Sequence, residues 1–216
     1  MIHLTLPEQA ATPLRILCLG AHSDDIEIGC GGAILRLAKQ YPDCSIHWVV
    51  FSAAGVRQAE ALKAARLFAG ANLSGPLLKD FRDGFLPFVG AEVKGVFEEL
   101  KQSVAPDIVF THNRKDAHQD HRLLAELTWN TFRDHLILEY EIPKYDGDMG
   151  QPALFVPLEK EQCESKVQYL LEAFQSQHAK RWFEKDTFLS LMRLRGMECN
   201  APSGYAEAFY CRKLVL

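Results

Sequence analysis

The chain has 216 residues, of which 48% are hydrophobic and 24% are charged. This balance predicts one globular domain with a well-buried core. The formal net charge of -4 provides no basic field to attract nucleic acid. No stretch approaches the roughly 20 apolar residues needed to cross a bilayer, and residues 1–14 lack the basic start of a secretory signal. We therefore expect a cytoplasmic protein with neither a transmembrane segment nor a nucleic-acid partner.

Strand and helix patterns alternate along the first two-thirds of the chain. Apolar and β-branched runs predict strands within residues 14–20, 45–52, 75–81, 107–112, 135–142 and 206–215. Amphipathic spacing predicts helices at 32–40, 56–70, 91–104, 121–134, 159–175 and 183–195. Buried strands that alternate with helices indicate an α/β fold. The expected architecture is a Rossmann-like, mostly parallel sheet with helices on both faces, in a single domain.

Residues 142–157 interrupt the alternation, because their proline, glycine and aspartate content predicts a long loop. We interpret the chain from about residue 142 onward as a C-terminal extension of the same domain, so that residues 1–216 form one unit. The six cysteines contain no Cys-x-x-Cys pair, and several lie in apolar runs. They are expected to be small buried side chains instead of disulfides or metal ligands.

Two runs rich in histidine and aspartate each follow a predicted strand. They are AHSDDIEIGCGG at 21–32 and THNRKDAHQDHR at 111–122. Ligands of open α/β sheets bind at the carboxyl ends of strands, so the two runs should meet at one edge. Two histidines and a carboxylate can hold a zinc ion and leave a second carboxylate to activate water. The candidates for these roles are His22, Asp24, Asp25, His118, Asp120 and His121.

Each run by itself also has a purely structural interpretation. Ser23, Asp24 or Asp25 could simply cap the helix that follows, because short polar side chains favour that position. His112 and Asp116 stay open between a role in the site and a local turn. The glycines of GCGG lack the full GxGxxG spacing and follow two aspartates that would repel a pyrophosphate. They predict tight packing of a helix instead.

The pairing of AHSDDIEIGCGG with the later HQDH resembles the LmbE-like, or PIG-L, zinc-dependent de-N-acetylases. The runs at 57–70 and 205–209 add similar context. The resemblance implies that His22, Asp25 and His121 bind Zn²⁺, with Fe²⁺ as another divalent candidate. It also implies that Asp24 is the general base and that His118 assists the oxyanion or the leaving amine. Asp120 would support His118.

By the same resemblance, Arg57 and Tyr205 match residues of a substrate pocket. Without it, Arg57 would be a solvated helix charge and Tyr205 a core aromatic. The sequence departs from the family pattern at Ser23, where proline is usual and would stiffen the turn between ligand and base.

The function that the resemblance implies is hydrolysis of a linear amide C–N bond. The expected substrate is a small molecule, an N-acetylated amino sugar or a conjugate of one, and a homo-oligomer is left open. One alternative is an amidase for a different amide, such as a thiol conjugate or an antibiotic precursor. Another is a non-catalytic module that binds a sugar or a nucleotide on the same sheet.

Overall fold

The backbone forms a central sheet with helices packed against it. In a computed structural model, which describes residues 3–6 and 12–215, the strands β1 to β7 are Arg15–His22, Ser45–Ser52, Leu77–Leu78, Ile108–His112, Leu136–Tyr140, Leu154–Leu158 and Tyr205–Cys211. Helices α1 to α6 are Asp25–Gln40, Val56–Ala69, Gly90–Ser103, Gln119–Thr131, Lys160–Ala173 and Lys185–Glu198. Short 3₁₀ turns lie at Gly70–Asn72, Leu86–Val89 and Gln175–Gln177.

The order of strands across the sheet is β3-β2-β1-β4-β5-β7-β6. The first five are parallel to one another, and β7 runs antiparallel to both of its neighbours. This confirms the predicted α/β fold with a mostly parallel sheet. The segments that follow β5 add two strands to the same sheet, so the later part of the chain completes the domain that the earlier part begins.

Alternate side chains of β1 face opposite sides of the sheet, as the period of a strand requires. Ile16 and Cys18 belong to a core cluster that includes residues of α1, α2, α5 and α6. Leu17 and Leu19 belong to a second cluster, with residues of α3 and α4. Both faces are therefore covered, which explains why β1 is apolar throughout instead of alternating with polar residues.

The ends of several elements shift by a few residues, and two differences from the predictions are larger. Helix α1 begins at Asp25 and not at residue 32. Its glycines lower the intrinsic helical propensity of residues 25–32 and so hid this first part of the helix. In the fold, other side chains pack against the helix backbone at these glycines. The predicted loop at 142–157 contains the start of β6, which pairs with β7 alone at the edge of the sheet. Proline at position 157 obscures the strand pattern in the sequence, but an edge strand tolerates it.

The cysteines are free thiols, and all but Cys211 are buried. In the described part of the chain, no helix has both the length and the apolar character needed to span a membrane.

Candidate metal and catalytic site

The two motifs meet because β1 and β4 are adjacent parallel strands. His22 ends β1 and His112 ends β4. Helix α1 starts three residues after His22, and α4 starts at Gln119. The carboxyl ends of both strands and the amino ends of both helices therefore form one edge of the sheet, as the sequence predicted.

The three predicted metal ligands converge at this edge. His22 Nδ1 lies 3.1 Å from His121 Nε2 and 3.3 Å from Asp25 Oδ2. His121 Nε2 lies 3.5 Å from the same carboxylate oxygen. Ligand atoms around a tetrahedral zinc ion, each at 2.0–2.2 Å from it, are roughly 3.3–3.6 Å apart. The spacing and the chemistry of this set of donors therefore fit a divalent metal ion.

Charge at the edge also suits a cation. Burial raises the pKa of Asp25, but the imidazoles of His121, His112 and His22 reverse this and hold it well below its usual range. The Asp25 carboxylate is therefore anionic. Burial lowers the pKa of His22, but the carboxylates around the ring outweigh burial and raise it well above 6.5.

Asp24 is held apart from the three ligands. It occupies the N-cap position of α1, yet its side chain makes no capping hydrogen bond. Its Oδ1 lies 2.8 Å from Arg57 Nη2, and Arg57 Nη1 also contacts Glu60 Oε2 at 2.9 Å. Burial raises the pKa of Asp24, and the Arg57 guanidinium opposes that rise. The predicted base and the predicted substrate arginine are thus direct neighbours.

Ser23 is fully buried, and its hydroxyl donates to the carbonyl of Ser52 at 3.4 Å. Ser52 is the last residue of β2, the strand that flanks β1. This bond ties the turn to the sheet at the position where the pattern that the sequence resembles has proline.

The Asp120 carboxylate lies against one of the predicted metal ligands, with Oδ2 3.2 Å from His22 Nε2. The resemblance implied a support for His118, and that role stays a prediction. The same carboxylate accepts the backbone N–H groups of Gly84 and Leu86 at 2.7 and 3.1 Å. The backbone N–H of Asp120 also contacts His118, donating to Nδ1 at 3.2 Å. Asp120 is thus placed to orient a metal-ligating imidazole, a common role for carboxylates beside metal sites.

His112 and Asp116, which the sequence left open, both lie against His121. The ring of His112 stacks on that of His121 with centroids 3.9 Å apart, and its Nε2 accepts the Ala21 N–H at 3.0 Å. Burial and the nearby His121 lower the pKa of His112 to about 4, so it is neutral. Asp116 Oδ2 lies 3.0 Å from His121 Nδ1 and accepts from Lys144 Nζ at 2.9 Å.

Sequence reasoning did not identify Asp83 and Lys144. Asp83 Oδ1 lies 3.0 Å from His22 Nε2, although its side chain is 76% exposed. The sequence could have indicated Asp83, because this residue follows the predicted strand at 75–81 and the carboxyl ends of parallel strands share one edge of the sheet. Lys144 lies in the loop after β5, where it also bonds Asp148. That loop is therefore fixed to the second motif through Asp116.

The remaining predicted residues are His118 and Tyr205. His118 is partly exposed, and its ring centroid is 4.8 Å from that of His22 and 4.6 Å from that of His121. Tyr205 begins β7, where its backbone N–H donates to Ser203 Oγ and the Arg193 guanidinium lies over its ring. These contacts do not join it to the histidine cluster, and its part in substrate binding stays a prediction.

A family model described as "PIG-L: GlcNAc-PI de-N-acetylase" matches residues 17–132, which is more than half of the chain. The chain belongs to the PIG-L family. The match contains both motifs and Arg57, and ends before the loop after β5. This confirms the family expected from the two motifs.

Solved structures resemble this PIG-L protein over nearly its whole length. The conserved protein TT1542 from Thermus thermophilus has a TM-score of 0.76 at 22% identity, covering 94% of this chain and 96% of its own. The N,N'-diacetylchitobiose deacetylase from Pyrococcus horikoshii has a TM-score of 0.71 at 19% identity, covering 92% and 83%. GalB, the 4-carboxy-2-hydroxymuconate hydratase from Pseudomonas putida KT2440, has a TM-score of 0.70 at 18% identity, covering 94% and 98%. At these identities the likeness establishes the fold, and a deacetylase and a hydratase share it, so the reaction has to be argued from the site.

Proposed function

We propose that this PIG-L protein is a metal-dependent hydrolase that removes the acetyl group from an N-acetylated amino sugar or from a conjugate of one. The observation that best supports it is the convergence of His22 Nδ1, Asp25 Oδ2 and His121 Nε2 within 3.5 Å beside a separate buried carboxylate, Asp24. A binding module would need neither the convergence nor the extra acid. The family description and the chitobiose deacetylase both point to acetylated amino sugars.

The metal proposal rests on the donor set. His22, Asp25 and His121 would hold Zn²⁺, or Fe²⁺, since two imidazoles and a carboxylate accept either ion. The bound ion supplies a Lewis acid for the amide carbonyl and lowers the pKa of water. Asp120 lies against His22 Nε2, and Asp116 lies against His121 Nδ1. These contacts would keep the other ring nitrogens, His22 Nδ1 and His121 Nε2, directed at the ion.

Asp24 would act as the general base. Its carboxylate takes a proton from the attacking water as the new C–O bond forms, and Arg57, 2.8 Å away, favours the anionic form that can accept it. The C–N bond then breaks, and the proton passes to the departing amine. The products are acetate and a free amino sugar.

His118 would stabilise the oxygen of the tetrahedral intermediate. Its Nδ1 accepts the Asp120 N–H, so the neutral ring carries its proton on Nε2. Burial and the neighbouring His121 lower the pKa of His118, which favours this neutral donor over a cation. Removal of such a donor typically lowers kcat by about 10²–10³-fold.

The test measures acetate release from a panel of N-acetyl amino sugars and their conjugates, together with metal content. We expect turnover with Zn²⁺- or Fe²⁺-loaded protein, with loss on chelation and recovery on readdition. Asp24→Asn should keep the metal and lose about 10²–10⁴ of kcat, whereas His121→Ala should lose the metal. Activity that survives both chelation and Asp24→Asn would contradict the mechanism. Retained metal with turnover only on thiol-conjugate or antibiotic amides would contradict the substrate class alone.

We also propose that Arg57 and Tyr205 contact the substrate. The Arg57 guanidinium is held in place beside Asp24, because its Nη1 also donates a hydrogen bond to Glu60. Tyr205→Phe should raise KM if the hydroxyl binds substrate, while a purely structural Tyr205 would leave KM unchanged.

A further inference from the structure

A concave surface lies at the other end of α4 from the histidine cluster. It is an open groove of ≈ 460 Å³ lined by Arg114, Glu126, Trp129, Asn130, Arg133 and Lys213. We name it the Trp129 groove. Trp129 is eight residues along α4 from His121, roughly 12 Å at the rise of a helix. No lining residue has a role in the proposed reaction.

The groove results from one side of α4 with the turn that follows it, and from two other segments of the chain. Glu126, Trp129 and Asn130 follow the spacing i, i+3 and i+4, so they project from the same side of the helix, and Arg133 lies in the turn after its last residue, Thr131. On the other side of the helix, Leu124, Ala125 and Thr128 are buried. Arg114 comes from the loop after β4, and Lys213 from the segment after β7. Three separate segments therefore contribute a cation to one groove.

None of the described cations around the groove forms a close ion pair, although the carboxylates of Glu126 and Glu139 lie nearby. Within residues 3–6 and 12–215, the ion pairs include none of Arg114, Arg133, Arg212 and Lys213. Arg133 Nε and Lys213 Nζ donate instead to backbone carbonyls, those of Asn130 and Arg133. Arg212 and Lys213 lie over the Trp129 ring, at 4.8 and 5.4 Å from its centroid. In a chain of net charge -4, this is a local concentration of positive charge.

A buried acid fixes the framework of the groove. Glu139, only 2% exposed, accepts the indole N–H of Trp129 on Oε1 and the backbone N–H of Arg114 on Oε2. The tryptophan ring and the loop that carries Arg114 are therefore held by one carboxylate. Such preorganisation lowers the entropy that a ligand would have to overcome on binding.

We propose that the Trp129 groove binds the phosphate group of a small anionic molecule. Arg114, Arg133 and Lys213 would donate charge-assisted hydrogen bonds, and guanidinium groups match phosphate oxygens in pairs. Phosphate suits the groove better than a carboxylate does, because its larger charge and additional oxygens can engage cations from three directions. Glu126 on the rim opposes any anion, so its removal should strengthen binding. This inference is independent of the proposed deacetylase activity.

The experiment is isothermal titration calorimetry of the metal-loaded protein with inorganic phosphate, pyrophosphate and adenosine monophosphate. The first two ligands test phosphate recognition alone, and the third tests whether an attached ring adds affinity. We expect saturable binding that weakens with added salt. Arg114→Ala and Lys213→Ala should each weaken binding roughly tenfold, and Glu126→Gln should strengthen it. Lys39→Ala, which removes an exposed cation of α1, is the matched control and should have no effect.

Two further measurements keep the result unambiguous. Phosphate bound to the active-site metal would be lost on chelation, whereas binding in the groove should survive it. Arg114→Lys and Lys213→Arg should restore most of the affinity, with unchanged circular dichroism for every variant. Absence of saturable binding at millimolar phosphate, equal binding by wild type and Arg114→Ala, or loss of binding on chelation would each overturn the proposal.

Discussion

The carboxylate of Glu207, in the last strand, accepts the backbone N–H of Gly32 at 2.8 Å in the middle of α1. Its other oxygen accepts the next N–H, that of Ala33, at 2.7 Å. Lys166 Nζ donates to Glu207 Oε1 and to the carbonyl of Ile28, both at 2.6 Å. Gly32 N–H and Ile28 C=O are the partners that an uninterrupted helix joins to each other. A buried ion pair therefore engages both ends of that helical bond, in the helix that presents Asp24 and Asp25.

The buried pair should be costly to break. Glu207→Ala leaves the ammonium of Lys166 buried without a counter-charge, so we expect a loss of about 3–5 kcal/mol in the free energy of unfolding. Urea denaturation measures this. The control is Lys39→Met. Lys39 of α1 and Glu161 of α5 form an ion pair between the helices that Lys166 also connects, but their side chains are 70% and 80% exposed. Its loss should stay below about 1 kcal/mol, and equal losses for the two variants would contradict the argument.

Gly29 should tolerate no side chain. A Cβ at this position would lie 2.2 Å from Tyr140 Cδ2, and the Tyr140 ring cannot move easily because its hydroxyl bonds the carbonyl of Leu19 at 2.7 Å. Gly29→Ala should therefore destabilise the protein by about 1–3 kcal/mol or more. Gly95→Ala in α3 is the matched control. It has nothing within 4 Å, and should stabilise by about 0.5–1 kcal/mol. Thermal unfolding of the two variants measures the predicted loss and the predicted gain in stability. A Gly29→Ala variant as stable as wild type would show that the Tyr140 ring moves to make room for the methyl group.

The sequence predicted the sheet, most helices and the meeting of the two motifs, because these depend on local periodicity and on the geometry of parallel strands. It placed the start of α1 too late, since glycine propensity alone cannot reveal that Tyr140 occupies the missing side-chain volume. It also missed the start of β6, because the pairing that tolerates Pro157 involves residues about fifty positions away. The contacts of Asp120 with His22, Gly84 and Leu86 join separate parts of the chain, which the spacing within one motif does not reveal.

Asp120 should govern how well the site holds its metal. With its carboxylate at 3.2 Å from His22 Nε2, Asp120→Asn removes the charge that orients the ring. We expect metal affinity to fall about 10–100-fold, measured by competition with a chromogenic chelator. Asp83→Asn is the control, because that carboxylate also faces His22 Nε2 but is mostly exposed to solvent, and its effect should be smaller. The reverse ranking would assign the orienting role to Asp83.

Glu139 should make stability depend on pH. Burial raises its pKa above the ordinary 4.5, against the opposing hydrogen bonds from Trp129 and Arg114. From about pH 4.5 up to the native pKa, the folded protein therefore binds more protons at this site than the unfolded chain does. Its contribution to the free energy of unfolding is thus present at low pH and is lost as pH rises through that window.

The difference in stability between wild type and Glu139→Gln should accordingly fall as pH increases from 4.5 and then level off. Groups that titrate in both proteins cancel in this difference. Urea denaturation at a series of pH values measures it. Trp129→Phe removes a hydrogen bond that lowers the pKa of Glu139, so the decline should then extend to higher pH. A difference that rises with pH would mean that these hydrogen bonds outweigh burial, and that Glu139 is anionic in the fold at acidic pH.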